Sequence, residues 1–122
     1  MGFSVVVLES DPRVAQSLAV KLSSQFRVVY MTRSRNELRK QVANTQPEAV
    51  VLDMEYSRIT DVRNLHNDFP SLAIVCTHRI PDEDLWIAAM EAGASDVCPA
   101  DEVQSVLASV LRSRAVAPDA AA

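Results

Sequence analysis

Five short strand-like runs, mostly apolar, each followed by a segment of helical periodicity, constrain what this chain can fold into more than any other feature. The runs are Phe3–Leu8, Phe26–Met31, Ala49–Leu52, Leu72–Cys76 and Asp96–Cys98. Val5–Leu8 in the first and all of the third are continuously apolar, as strands buried on both faces are. Between the runs, apolar residues recur every three to four positions. Asp11 stands before Pro12, an N-cap followed by proline at the first helical position. Val14, Leu18, Ala19 and Leu22 then form an inward stripe up to Ser24. Ser34 and Glu37 have the spacing of a capping box ahead of a helix over Arg35–Asn44, with Leu38 and Val42 inward. Pro47 ends that pattern. A third helix is expected over Ile59–Asp68, with Val62, Leu65 and Phe69 on one side and Pro70 as its stop. Pro81-Asp82-Glu83-Asp84 opens a fourth, with acids in the turn where the helix dipole favours them. Its inner face is Leu85, Ala88, Ala89 and Ala92, and Gly93 terminates it. Val103, Val106, Leu107, Val110 and Leu111 mark the last helix. Strict alternation of strand and helix with short connections predicts an α/β fold, a doubly wound parallel sheet with helices on both faces.

Bulk properties narrow the class further. The 122 residues suit one domain, and 48% hydrophobic with 23% charged residues excludes a disordered chain. No apolar run approaches the ~20 residues that span a bilayer, and the first residues lack the features of a signal peptide. A cytoplasmic location with no membrane partner is the expectation. A formal charge of −4 and a pI of about 5.1 argue against nucleic acid as a partner. The local cluster Arg33, Arg35, Arg39 and Lys40 reads as the solvated face of one helix. Cys76 and Cys98, on separate apolar runs, read as buried thiols. The domain is expected over residues 1–113, with the patternless, alanine-rich 114–122 a disordered tail or the start of a linker.

In an open α/β sheet, ligands bind beyond the carboxyl ends of the strands. The residues available there are Glu9-Ser10-Asp11, Asp53, Thr77 and Pro99-Ala100-Asp101. The two glycines, Gly2 and Gly93, are not placed for a dinucleotide turn, and there is no phosphate-binding G-x-x-x-x-G-K-[ST] loop. On chemistry alone, Asp53 at a strand end suits three roles: accepting a phosphoryl group, holding a metal, or capping the amides of the next loop.

Three segments carry a resemblance. Ala88-Ala89-Met90-Glu91-Ala92-Gly93-Ala94-Ser95-Asp96 is similar to an A-x-x-A-G-A-x-D segment, and Pro47-Glu48-Ala49-Val50-Val51-Leu52-Asp53-Met54 to a P-D-hydrophobic-L-D strand. Glu9-Ser10-Asp11-Pro12 stands where D-D-x-P is expected. All three are features of the receiver domain of two-component response regulators, and the resemblance covers about residues 3 to 112. It implies a flavodoxin-like (CheY-like) five-stranded parallel sheet of order 2-1-3-4-5 with five helices. It implies that Asp53 is the phosphoacceptor and that Thr77 contacts the phosphoryl oxygens, these two carrying the chemistry. It implies a Mg²⁺ site from the acids after strand one together with Asp53. Here that site is degenerate and weak, because only Glu9 and Asp53 remain and the second acid is Ser10. The lysine that neutralises the phosphoryl charge in the family is replaced by Ala100, its following proline by Asp101, and the switch aromatic of strand five by Val97.

These departures matter because an aspartyl phosphate carries about −1.5 to −2 charges, beside Glu9 and with Glu55 and Asp11 near. Arg79 is a candidate substitute cation, and His78 a residue that narrows access to Asp53. The chain is thus read as an atypical receiver, phosphorylated on Asp53 by a histidine kinase and acting through protein–protein contacts. The alternative is a phosphorylation-independent pseudo-receiver that docks or dimerises. A conventional enzyme is not expected, since the acid two residues after Asp53 is Glu55 and no lysine supports the phosphate. Trp86 and Met90 are assigned to the partner face, and the resemblance implies homodimer contacts through helix four, strand five and helix five.

Overall fold

A computed structural model describes residues 4–115. Its elements are β1 (Ser4–Leu8), α1 (Pro12–Ser23), β2 (Val28–Thr32), α2 (Arg35–Thr45), β3 (Ala49–Asp53), α3 (Ile59–Asp68), β4 (Ala73–His78), α4 (Glu83–Ala92), β5 (Asp96–Pro99) and α5 (Val103–Ala115). The strands form one sheet in the order β2-β1-β3-β4-β5, every neighbouring pair parallel. This is the expected topology, with the strand order reversing between β1 and β3.

Alternation along the central strands divides the core in two. Val6, Leu8, Val50, Leu52, Ile74 and Cys76 face α2, α3 and α4, where they meet Leu38, Val42, Val62, Leu65, Ala89 and Ala92. Val5, Val7, Ala49, Val51, Ala73 and Val75 face α1 and α5, against Leu18, Leu22, Val106, Leu107 and Val110. Both cysteines are buried and free, as read from the sequence.

Local chemistry sets the element boundaries. Asp11 caps α1, its carboxylate accepting from the Arg13 amide at 2.9 Å. Ser34 caps α2 through the Glu37 amide at 3.0 Å, but Glu37 Oε1 accepts from Arg33 N at 2.7 Å, so the expected reciprocal bond lands one residue early. Gln46, in the left-handed region at φ 48°, closes α2. β2 begins at Val28 rather than Phe26, because the Phe26 amide still bonds to Leu22 O at the end of α1 while its ring is buried beneath that helix. Arg35 and Arg39 do more than coat one helix: they pair with Asp61 and Asp68 and so bridge α2 to α3. Helix α5 runs through Ala115, past the expected boundary at 113. The rest of the expected tail, and Phe3 of the expected first strand, lie outside the described residues.

Candidate functional site

The parallel register builds the site. Asp53 is the last residue of β3, and its register partner across the β3–β4 ladder is Thr77. Thr77 is in turn the partner of Cys98 on β5, and the ladder continues as the Ala100 amide bonds to His78 O at 2.9 Å. Glu9 follows Leu8, the last residue of β1. Counting by twos from Val7, Val51, Val75 and Cys98, which all pack on the α1/α5 side, brings Glu9, Asp53, Thr77 and Ala100 to that side of the same strand ends. The sequence-derived set is therefore brought together.

Asp53 is buried, with 1% of its surface exposed. Its carboxylate accepts two backbone amides, Ser10 N at 2.6 Å and Glu55 N at 2.8 Å. Its carbonyl accepts from Tyr56 N and Ser57 N, which tightens the following loop. Ser10 thus serves Asp53 through its backbone. Asp11, considered as an extra negative charge, is committed to the α1 cap.

Two atoms here are conspicuous for lacking partners. Thr77 Oγ1 is fully buried with no hydrogen bond, and so is Glu9 Oε1, although Glu9 Oε2 accepts the Asp11 amide at 3.1 Å. A buried polar atom without a partner costs about 1–3 kcal/mol, so each marks a place where a further group would be welcome. Burial pushes the Glu9 carboxyl up to about 7; the Asp11 amide pulls it back, while the charges of Asp53, Asp11 and Glu55 push the same way as burial. Ser57 Oγ, in the loop after Asp53, is buried and unpartnered too.

Arg79 lies beside the site and is engaged with Glu55. Its Nε donates to Glu55 Oε2 at 2.9 Å and its backbone N–H to the same oxygen at 3.0 Å. Burial acts to raise the Glu55 carboxyl, but these bonds and the guanidinium charge outweigh it and hold the carboxyl below its ordinary value. A cavity of about 310 Å³ opens here, lined by Glu9, Asp11, Val14, Arg79, Ile80, Ala100 and Asp101. Ala100 itself is buried. His78 turns back on its own loop, Nδ1 accepting the Ile80 amide at 3.1 Å. No cluster of three or more His, Cys, Asp or Glu side chains suited to a metal ion occurs among the described residues.

Trp86 and Met90 lie away from this site, on α4. Trp86 is 47% exposed, whereas Met90 is partly buried against the α2–α4 core, so of the two only Trp86 offers substantial surface. Sequence reasoning missed the amide bonds to Asp53, the Glu55–Arg79 pair and the buried Ser57 hydroxyl. The backbone contacts leave no trace in residue identity. The acid two positions past Asp53 and the arginine two past Thr77 were visible, but their 24-residue separation hid the pairing.

Among solved structures, the BeF3-activated receiver domain of RstA from Klebsiella pneumoniae is 25% identical, with a TM-score of 0.76 over 89% of this chain and 95% of its own. The chain thus has the fold of response-regulator receiver domains and is similar to them in sequence. The receiver domain of a response regulator from Bacteroides fragilis shares the same fold, with a TM-score of 0.83 at 20% identity, covering 93% of this chain and 98% of its own. Among curated proteins, the response regulator MprA of Mycobacterium sp. (strain KMS) is 28% identical over 105 residues, 81% of this chain. The alignment covers 44% of MprA, so the chain spans less than half the length of that relative. No family model matches. No helix among the described residues is long and apolar enough to cross a membrane.

Proposed function

We propose that this is an atypical receiver domain whose Asp53 accepts a phosphoryl group and whose output is a change in protein–protein contacts. The observation that carries this reading is the pair of unpartnered buried atoms, Thr77 Oγ1 and Glu9 Oε1, at the strand ends that hold Asp53. A hydroxyl donor suits a phosphoryl oxygen, and a carboxylate oxygen suits a cation. In the reaction, a carboxylate oxygen of Asp53 attacks phosphorus and the donor's bond to phosphorus breaks. The electron pair leaves with the departing group, the histidine imidazole of a phosphorylated kinase or the acetate of acetyl phosphate. Thr77 would donate to a phosphoryl oxygen, while the Ser10 and Glu55 amides orient the attacking carboxylate.

Glu9 and Asp53 are the residues that would hold Mg²⁺, and their oxygens fit a hard cation. With Ser10 replacing the second acid the site is weak. Mg²⁺, when bound, supplies positive charge against the phosphoryl oxygens. The partners follow from this reading: a histidine kinase as donor, and a protein, in a cytoplasmic setting, as recipient of the signal.

Amide NMR of the whole chain tests the proposal. Mg²⁺ alone is expected to shift signals near Glu9 and Asp53 only in the millimolar range. Beryllofluoride with Mg²⁺ is expected to shift Asp53, Thr77 and their loops, and Asp53→Asn to abolish that response. A second reading, the phosphorylation-independent docking module, is favoured by the commitment of both Asp53 carboxylate oxygens to backbone amides. No shift at saturating beryllofluoride would establish it over the first.

A further inference from the structure

We propose that Arg79 is the counter-cation of this pocket: once Asp53 carries a phosphoryl group, the Arg79 guanidinium leaves Glu55 and binds the phosphoryl oxygens. The inference rests on the phosphoacceptor reading and names what that reading lacks. Ala100 brings no charge to the strand ends, and the groups gathered there are acidic: Glu9, with Asp53 and Glu55, whose charges both bear on Glu9. A dianion added to that set requires a cation.

Three observations select Arg79. It is the cation among the residues lining the cavity shared by Glu9 and Ala100. It stands two residues beyond Thr77, the register partner of Asp53. And it is already tethered to the acceptor's own loop, since the residue it grips, Glu55, donates its amide to Asp53 Oδ1. The tether is built to exchange. The Arg79 side chain is 77% exposed, so the ion pair with Glu55 is screened by water and holds weakly. A phosphoryl group offers more charge and a surface that the planar guanidinium matches in a bidentate way. Arg33 is the competing candidate, because it lines the neighbouring cavity with Glu9, Ser10 and Tyr56. It sits at the β2 side, and its backbone amide is held by Glu37.

Beryllofluoride with Mg²⁺, titrated into the whole chain and followed by NMR at Asp53 and Thr77, decides between them. Arg79→Gln is expected to weaken the apparent affinity at least tenfold, and Arg33→Gln to leave it unchanged. Ala100→Lys added to Arg79→Gln is expected to restore it, which a merely structural role for Arg79 would not allow. The Arg79 Nε–H signal is expected to move in the wild type on saturation. Wild-type affinity in Arg79→Gln, or loss in Arg33→Gln instead, overturns the assignment to Arg79 while the acceptor reading stands. Absence of any wild-type response removes the acceptor reading, and this inference with it.

Discussion

Glu9 combines a backbone-bound oxygen, an unpartnered one, and a carboxyl raised to about 7 from the ordinary 4.5. The sign of its effect on stability follows. Between those two values the folded state binds more protons than the unfolded state, so stability falls as pH rises from about 4.5 to 7 and stays lower above. Glu9→Gln removes this titration. Urea denaturation at a series of pH values is expected to show the wild type losing ground to the variant across that window. A difference that does not vary with pH would mean that Glu9 titrates as an ordinary surface acid. Glu9, Asp53 and Thr77 could be found in the sequence because each ends an apolar run, and parallel strands of similar length end together. What holds Asp53 could not be found, because the Ser10 and Glu55 amides that grip it exist at every non-proline residue.

At the scale of elements, the junction after α4 shows how legible and hidden features meet. Gly93 reads as a helix stop from sequence alone. The structure adds φ +117°, and a Cβ at this position would lie 2.4 Å from His66 Cγ on α3. One residue therefore ends α4 and lets α3 approach it. Gly93→Ala is expected to cost about 1–2 kcal/mol through the backbone, with a further loss from the collision. His66→Ala in the same background should recover the collision part and leave the backbone part, as measured by chemical denaturation. Equal stabilities with and without the His66 ring would show that the ring moves aside freely. The misplaced start of β2 has a comparable cause. Phe26 is apolar and adjoins a strand, but it packs as the stopper of α1, and nothing in its identity separates those two uses.

For the molecule as a whole, burial was legible and surface purpose less so. The alternating strands and helical stripes specify two cores, one on each side of the sheet, and both are present. Exposed apolar side chains collect along the β4–α4 loop and α4: Ile80 at 78%, Trp86 at 47% and Ile87 at 42%. Solvent-exposed tryptophan is a common anchor of protein interfaces. Trp86→Ala is expected to change folding stability by less than about 1 kcal/mol and to weaken self-association or partner binding, read by sedimentation velocity of the two proteins side by side. A stability loss of several kcal/mol would instead mark the indole as core.

The central position of β3 has a mechanical consequence. Its backbone is laced to β1 on one flank and to β4 on the other, up to Leu52 and Asp53 respectively. Sliding that strand would tear two ladders at once, so it is an anvil: a phosphoryl group on Asp53, as proposed, would meet a backbone fixed on both flanks. On the proposed reading its effect would spread sideways through the rim, along residues 54–58 and 78–82, where side-chain contacts such as that of the Arg79 guanidinium with Glu55 lie outside the ladders.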